Sequence, residues 1–202
     1  LFIRARYQPE GRDVVFLPVA INYDRVLEDR ILLESAARGG KGFRARISVI
    51  VGFFFKQLLL RLRGKVHRFG NATVRFGRPV SLTEFSKDVS GDVAKPLGVE
   101  LMRRINGVVP ILPVPLMAYI FEQAAGPLSQ KDVKDAFAAR LAALPQSRAR
   151  FMREVPEEAI DSALKTLVGR RVLLESDGTF SVNKDQTEIL RFYANSIRHL
   201  LE

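Results

Sequence analysis

His67 and His199 are the only imidazoles in the sequence, and there is no cysteine and no tryptophan. Moving a proton off a hydroxyl or a water calls for an imidazole oriented by a carboxylate. His67 has Ala72 where an H-x-x-x-x-D pair would put its aspartate, and His199 has no partner at that spacing. Two histidines this far apart cannot form a helical H-E-x-x-H metal site. The lack of cysteine removes a thiolate nucleophile, thiolate zinc, iron–sulfur ligation and a disulfide framework together. Neither G-x-S-x-G, G-x-x-x-x-G-K-[ST] nor G-x-G-x-x-G occurs. Glu10-Gly11-Arg12 is an acid-glycine-arginine string short enough to arise by chance. The residues alone therefore assign no catalytic group and no metal ligand.

Charge is more informative than catalytic residue types. The chain of 202 residues carries a net +10, and eleven basic residues with no acid lie between Arg38 and Arg78. Outside that window acids and bases nearly cancel. Arg44, Arg46, Lys56, Arg61, Arg63 and Lys65 form its centre, suited to phosphates of a lipid headgroup, a nucleic acid or an anionic substrate. Between them Ile47 to Phe55 is the most apolar run. Nine helical residues rise roughly 14 Å against a hydrocarbon core of about 30 Å, too short to span. Phe53, Phe54 and Phe55 suit either a core or a wedge into a membrane interface. No signal peptide is visible. With Leu as residue 1 and a strand-like run almost at once, the sequence reads as a piece of a longer protein.

These groups need elements to position them. At 47% apolar and 27% charged, the chain has the composition of a globular protein with a core, not of a disordered or collagenous one. Residues 13–23 form a near-continuous apolar run, predicted as a strand buried on both faces as in α/β sheets. Pro18 lies in its middle and cannot donate to a ladder, so the strand is at an edge or bulged there. A short amphipathic helix over 26–37 stops at Gly39-Gly40. Residues 43–63 read as helical, apolar in the centre and basic at the ends. Ala72 to Phe76 is a second strand, followed by a helix from Ser81 with Glu84 at capping-box spacing.

A polar link over 87–95 marks a boundary, and the rest is mostly helical. Helices are predicted over 97–106 and 116–125, joined by an extended proline-punctuated connector at 108–115. A third helix starts at the Ser129/Asp132 cap, and a fourth runs from Glu157 to Val168 behind Pro156. A hairpin turns at Asp177-Gly178, and a last helix covers 185–201.

Five segments carry a resemblance. Val15-Phe-Leu-Pro-Val-Ala-Ile-Asn-Tyr-Asp-Arg-Val-Leu-Glu28 resembles the fourth conserved block of the bacterial-type, membrane-bound glycerol-3-phosphate acyltransferases. Val74-Arg-Phe-Gly-Arg-Pro79 resembles that family's V-x-F-G-x-P segment, and Leu101-Met-Arg-Arg-Ile-Asn106 its L-x-x-R-I-N helix. Leu128-Ser-Gln-Lys-Asp-Val133 resembles the start of a later helix. Phe192-Tyr-Ala-Asn-Ser-Ile-Arg-His-Leu200 resembles the Y-x-N-x-I-x-H-x-L terminus. All five stand in family order across nearly the whole chain.

The resemblance implies acyl transfer from acyl-CoA or acyl carrier protein to the 1-hydroxyl of glycerol 3-phosphate, with no further cofactor. The basic window fits a peripheral enzyme on an anionic membrane surface, expected at the cytoplasmic face of the inner membrane, and nucleic acid is not an expected partner. The family's H-x-x-x-x-D, arginine-bearing and F-x-E-G-x-R blocks precede the fourth block, so no catalytic residue transfers to this chain, and these residues alone are expected to be inactive. Glu10-Gly11-Arg12 abuts the strand directly and is not the last of those blocks. Pro18 and Tyr23 match the fourth block, which the family associates with substrate binding. Pro18 either interrupts sheet pairing or lines the cleft; Tyr23 either anchors a core or forms a cleft wall; His199 is expected to be a structural hydrogen-bonding residue. The implied architecture is α/β: residues 1–90 end a mixed-sheet acyltransferase domain, and 97–202 form a mostly helical C-terminal domain with a small β-hairpin.

A different class competes. Two helices and an Asp-Gly hairpin follow the order of a winged-helix nucleic-acid module, and the isoelectric point is about 10.3. The helix in the recognition position, however, carries Glu157, Glu158 and Asp161 against Lys165, which repels a phosphate backbone. A non-catalytic lipid- or partner-binding module is the third reading.

Overall fold

The structure is a computed structural model that describes residues 12–26, 29–30, 32–33, 72–144 and 157–202. It mixes helices with small antiparallel sheets, an α/β composition. The predicted first strand is broken in two: β1 (Val15–Phe16) pairs with β4 (Val80–Ser81), and β2 (Val19–Tyr23) with β3 (Ala72–Phe76). The break falls at Leu17-Pro18, where the missing proline donor makes a continuous ladder impossible. The Pro18 carbonyl instead accepts the Gly77 N–H at 2.7 Å. A Cβ on Gly77 would stand 3.1 Å from the Pro18 Cβ, a tight contact that glycine avoids at this crossing.

The expectation of a strand buried on both faces is corrected. Ala20 and Asn22 are buried, whereas Val19, Ile21 and Tyr23 are exposed. Alternate residues of a strand face opposite ways, and only the face carrying positions 20 and 22 meets helices here.

After β4, α1 (Leu82–Lys87) is capped by Ser81, whose hydroxyl accepts the Glu84 N–H at 3.1 Å. The reciprocal half of the expected box is replaced. Glu84 pairs with Lys87, and Asp13 supports the helix start in another way, by accepting from the Ser81 and Thr83 hydroxyls and the Thr83 N–H. Helix α2 (Ala94–Gly107) follows. Leu97 and Leu101 of α2 pack with Val80, Leu82 and Phe16 in one small apolar cluster.

Helix α3 (Pro113–Gln123) begins three residues before the predicted 116. Pro113 and Pro115 fall in its first turn, where the missing N–H groups have no intrahelical acceptor in any case. Residues 114–121 of α3 are all buried, making it the central rod of the main core. Around it lie α4 (Gln130–Ala142), α5 (Glu157–Gly169) and, most extensively, α6 (Thr187–Arg198). The Ser129/Asp132 box that opens α4 has both halves. Ile189, Leu190, Tyr193, Ala194 and Ile197 give α6 the inward stripe of an amphipathic helix.

The hairpin β6 (Leu173–Ser176) and β7 (Thr179–Val182) turns at Asp177 and Gly178, both with positive φ as a tight primed turn requires. A two-residue strand, β5 (Leu128–Ser129), adds a third member in the order β5-β7-β6. The helix–helix–hairpin order read from the sequence is thus present, with this short strand closing the sheet.

Candidate functional site

Three polar or charged residues are buried among the described ones, Asn22, Asp24 and Asp29, at the end of β2 and in the chain that leaves it. Burying such groups is costly unless each finds a partner, and here each does. The Asn22 amide donates to the Pro110 carbonyl at 2.8 Å and stands 3.5 Å from the Ser196 hydroxyl, while its Oδ1 accepts the Tyr23 N–H. Asp24 Oδ1 accepts the Val114 N–H at 3.3 Å, at the open N-terminus of α3.

Asp29 Oδ2 accepts from both the Arg170 guanidinium and the Tyr193 hydroxyl, the latter at 2.8 Å. The Tyr193 hydroxyl in turn accepts from Arg170 Nη1 at 2.6 Å and from the Val26 N–H at 3.0 Å, so its one proton and two lone pairs are all used. Burial raises the pKa of Tyr193 above the usual phenol value, which keeps the donated proton in place. Burial opposes the charge on Arg170, but Tyr193 and Asp29 outweigh it and raise its pKa. The end of β2 is thereby clasped by α3, by α6 and by Arg170 just after α5.

Among the described residues nothing covers the other side of the same strand. Val19, Ile21 and Tyr23 lie across from Phe76, Val74 and Ala72. Tyr23 is 43% exposed and Phe76 66%, with Val15, Leu17, Ile21 and Val74 also open to solvent. Exposed apolar side chains gathered on one sheet face are the usual mark of an interaction surface.

Pro18 is buried against Gly77, consistent with its role in interrupting the pairing. Tyr23 sits on the apolar outer face, so it does not anchor the core. Arg44, Arg46, Lys56, Arg61, Arg63 and Lys65 lie outside the described residues. Of the basic window, Arg75 and Arg78 are described: Arg75 is half-buried opposite Ala20, where burial lowers its pKa, and Arg78 is exposed. His199 makes a structural contact, its Nε2 lying 3.2 Å from the Asn106 carbonyl. Arg104 reaches the carbonyls of Arg78 and Pro79. The segments that carried the resemblance thus meet one another: 74–79 touches the first and third, and the last touches the third and the chain leaving β2. An open cleft lined by Gln130, Asp161, Lys165, Glu175 and Phe180 carries charges of both signs.

Asn22, Asp24, Asp29, Arg170 and Tyr193 were not singled out by the sequence. The signals available for them were two polar side chains, Asn22 and Asp24, ending an otherwise apolar run within the first resembling segment, and Tyr193 as the tyrosine of the last one. Among the described residues no cluster of three or more His, Asp or Glu could hold a metal ion, and no helix is long and apolar enough to cross a membrane.

Among the described residues, fold and site together define a group of helices that grips the end of a small sheet whose outer face is open. The pattern of the glycerol-3-phosphate acyltransferase C-terminal region matches residues 55–201, and the chain belongs to that family. It is 25% identical over 224 residues to a glycerol-3-phosphate acyltransferase of Ectopseudomonas mendocina, covering 98% of this chain and 25% of that protein. It is 24% identical over 212 residues to a protein of the same description from Pseudomonas syringae pv. tomato, covering 93% of this chain and 24% of that one. The chain spans about a quarter of the length of these curated relatives. No solved structure matches it.

Proposed function

We propose that the chain is the C-terminal part of a glycerol-3-phosphate 1-O-acyltransferase, which moves an acyl group from acyl-CoA or acyl carrier protein to sn-glycerol 3-phosphate in phospholipid synthesis. The observation that carries this reading is the family match over 55–201, supported by relatives of that description. In this reading residues 1–90 end an α/β catalytic domain and 97–202 form its helical C-terminal domain. The general base is a histidine held by an aspartate, supplied by polypeptide outside these residues. Attack of the deprotonating 1-hydroxyl on the thioester carbonyl is the chemistry such a pair assists.

This chain's own contribution is a wall. The open apolar face of β2 and β3 is where the rest of the catalytic domain packs, and Tyr23 at its end reaches the substrate cleft. Pro18 acts through the sheet, by breaking the ladder where β1 and β2 diverge. The enzyme sits peripherally on the cytoplasmic face of the inner membrane. Arg44, Arg46, Lys56, Arg61, Arg63 and Lys65 meet anionic headgroups there, each worth about 1 kcal/mol near such a surface. Nucleic acid is not a partner, since exposed Glu157 and Glu158 open the helix that a winged-helix module would present.

The direct test is acyl transfer to glycerol 3-phosphate by the full-length protein that contains these residues. Incorporation into a monoacyl product is expected, and none with glycerol 3-phosphate as acceptor would refute the reading. For the membrane part, co-sedimentation with anionic vesicles should exceed that with neutral ones and fall with salt. Equal binding to both would remove the electrostatic component.

A further inference from the structure

We propose that the helical C-terminal part sets the position of Tyr23 through the buried clasp, so that Asn22, Asp24, Asp29, Arg170 and Tyr193 are positioning residues for the glycerol 3-phosphate site. The inference rests on the functional reading above and deepens it.

The case begins with placement. Every buried polar or charged residue among the described ones falls within an eight-residue stretch, and most of their partners lie far along the chain. Asn22 and Pro110 are 88 positions apart, Asp29 and Arg170 141, Asp29 and Tyr193 164. Apolar side chains could fill such sites with equal or better stability, because desolvating charges offsets most of what their pairing returns. What hydrogen-bonded charges add is direction: a guanidinium that donates one N–H to Asp29 and another to the Tyr193 oxygen, together with a fully used hydroxyl, tolerates one geometry.

The second step is alternation. Asn22 and Asp24 flank Tyr23 and point inward, each held by the helical part. The Tyr23 N–H is held by Asn22 Oδ1 at 2.9 Å. With backbone and both neighbours fixed, the Tyr23 side chain is directed to the opposite, open face. An exposed tyrosine needs no such anchoring for its own stability. A group that must meet a small phosphorylated substrate does, since a misplacement of about 1 Å can cost about a hundredfold in rate. Tyr193 is the centre of the clasp, touching Val26, Asp29 and Arg170 through one oxygen.

The test uses the full-length protein with glycerol 3-phosphate and an acyl-CoA. Tyr193→Phe should raise the KM for glycerol 3-phosphate about tenfold, with the KM for acyl-CoA within about twofold. Arg170→Lys, which keeps the charge but not the fork, should act in the same direction, and it serves if the first variant does not fold. Tyr23→Leu should give the same KM pattern, and the double variant Tyr23→Leu/Tyr193→Phe should be no worse than Tyr23→Leu alone. Lowered melting temperatures with both KM values unchanged would overturn the proposal and leave the clasp purely structural. Additive effects in the double variant, or an equal rise in both KM values, would overturn it as well. If the wild-type protein transfers no acyl group to glycerol 3-phosphate, it is the functional reading that fails, and this inference falls with it.

Discussion

Asp13 shows how much a single exposed carboxylate can be held by its neighbours. The Ser81 and Thr83 hydroxyls and the Thr83 N–H donate to it, and these bonds lower its pKa from the usual 3.8 to about 2. A depressed folded-state pKa means the group stabilises the fold above its unfolded value and loses that contribution as pH falls through the folded one. The Asp13 contribution should therefore be full above about pH 4 and fade toward pH 2. Asp13→Asn mimics the protonated side chain, so its melting temperature should lie below wild type at pH 7 and converge with it near pH 2. A difference independent of pH would show that the ionised carboxylate is not what holds the start of α1.

At the scale of elements, local signals were legible and long-range ones were not. The Ser129/Asp132 box, the Asp177-Gly178 turn and the amphipathic stripe of the last helix are each written within a few residues, and each element formed within three residues of where expected. Ser129→Ala should cost about 1 kcal/mol in urea denaturation, since it removes the side-chain acceptor for the Asp132 N–H. An unchanged midpoint would mean that the core alone sets the start of α4. The early start of α3 was missed because prolines that read as an extended connector also suit a first helical turn. Strand β5 was missed because two residues carry no periodicity. The open face of β2 was misread because an unbroken apolar run looks the same whether one or both of its faces are covered. The clasp was invisible because its partners are separated by most of the chain, and only folding brings Tyr193 to Asp29. Of the predicted site residues, Tyr23 and Pro18 can be placed, while the basic cluster lies outside the described residues.

At the scale of the whole molecule, the two faces of β2 divide the work. One is locked to the helices through polar contacts, and the other is apolar and bare. Phe76→Lys on that bare face should change the stability of the 202-residue chain by no more than about 0.5 kcal/mol, as for an ordinary surface site. In the full-length protein the same change should cost well over 1 kcal/mol, since it would bury a charge without a partner. Equal effects in both would mean that nothing covers the face. The most direct measurement sets the isolated chain beside the full-length protein in one acyl-transfer assay with glycerol 3-phosphate and acyl-CoA. Turnover by the full-length protein and none by the 202 residues is the expected result, because the proposed reading puts the proton-abstracting pair outside them. Turnover by the 202 residues alone would contradict it.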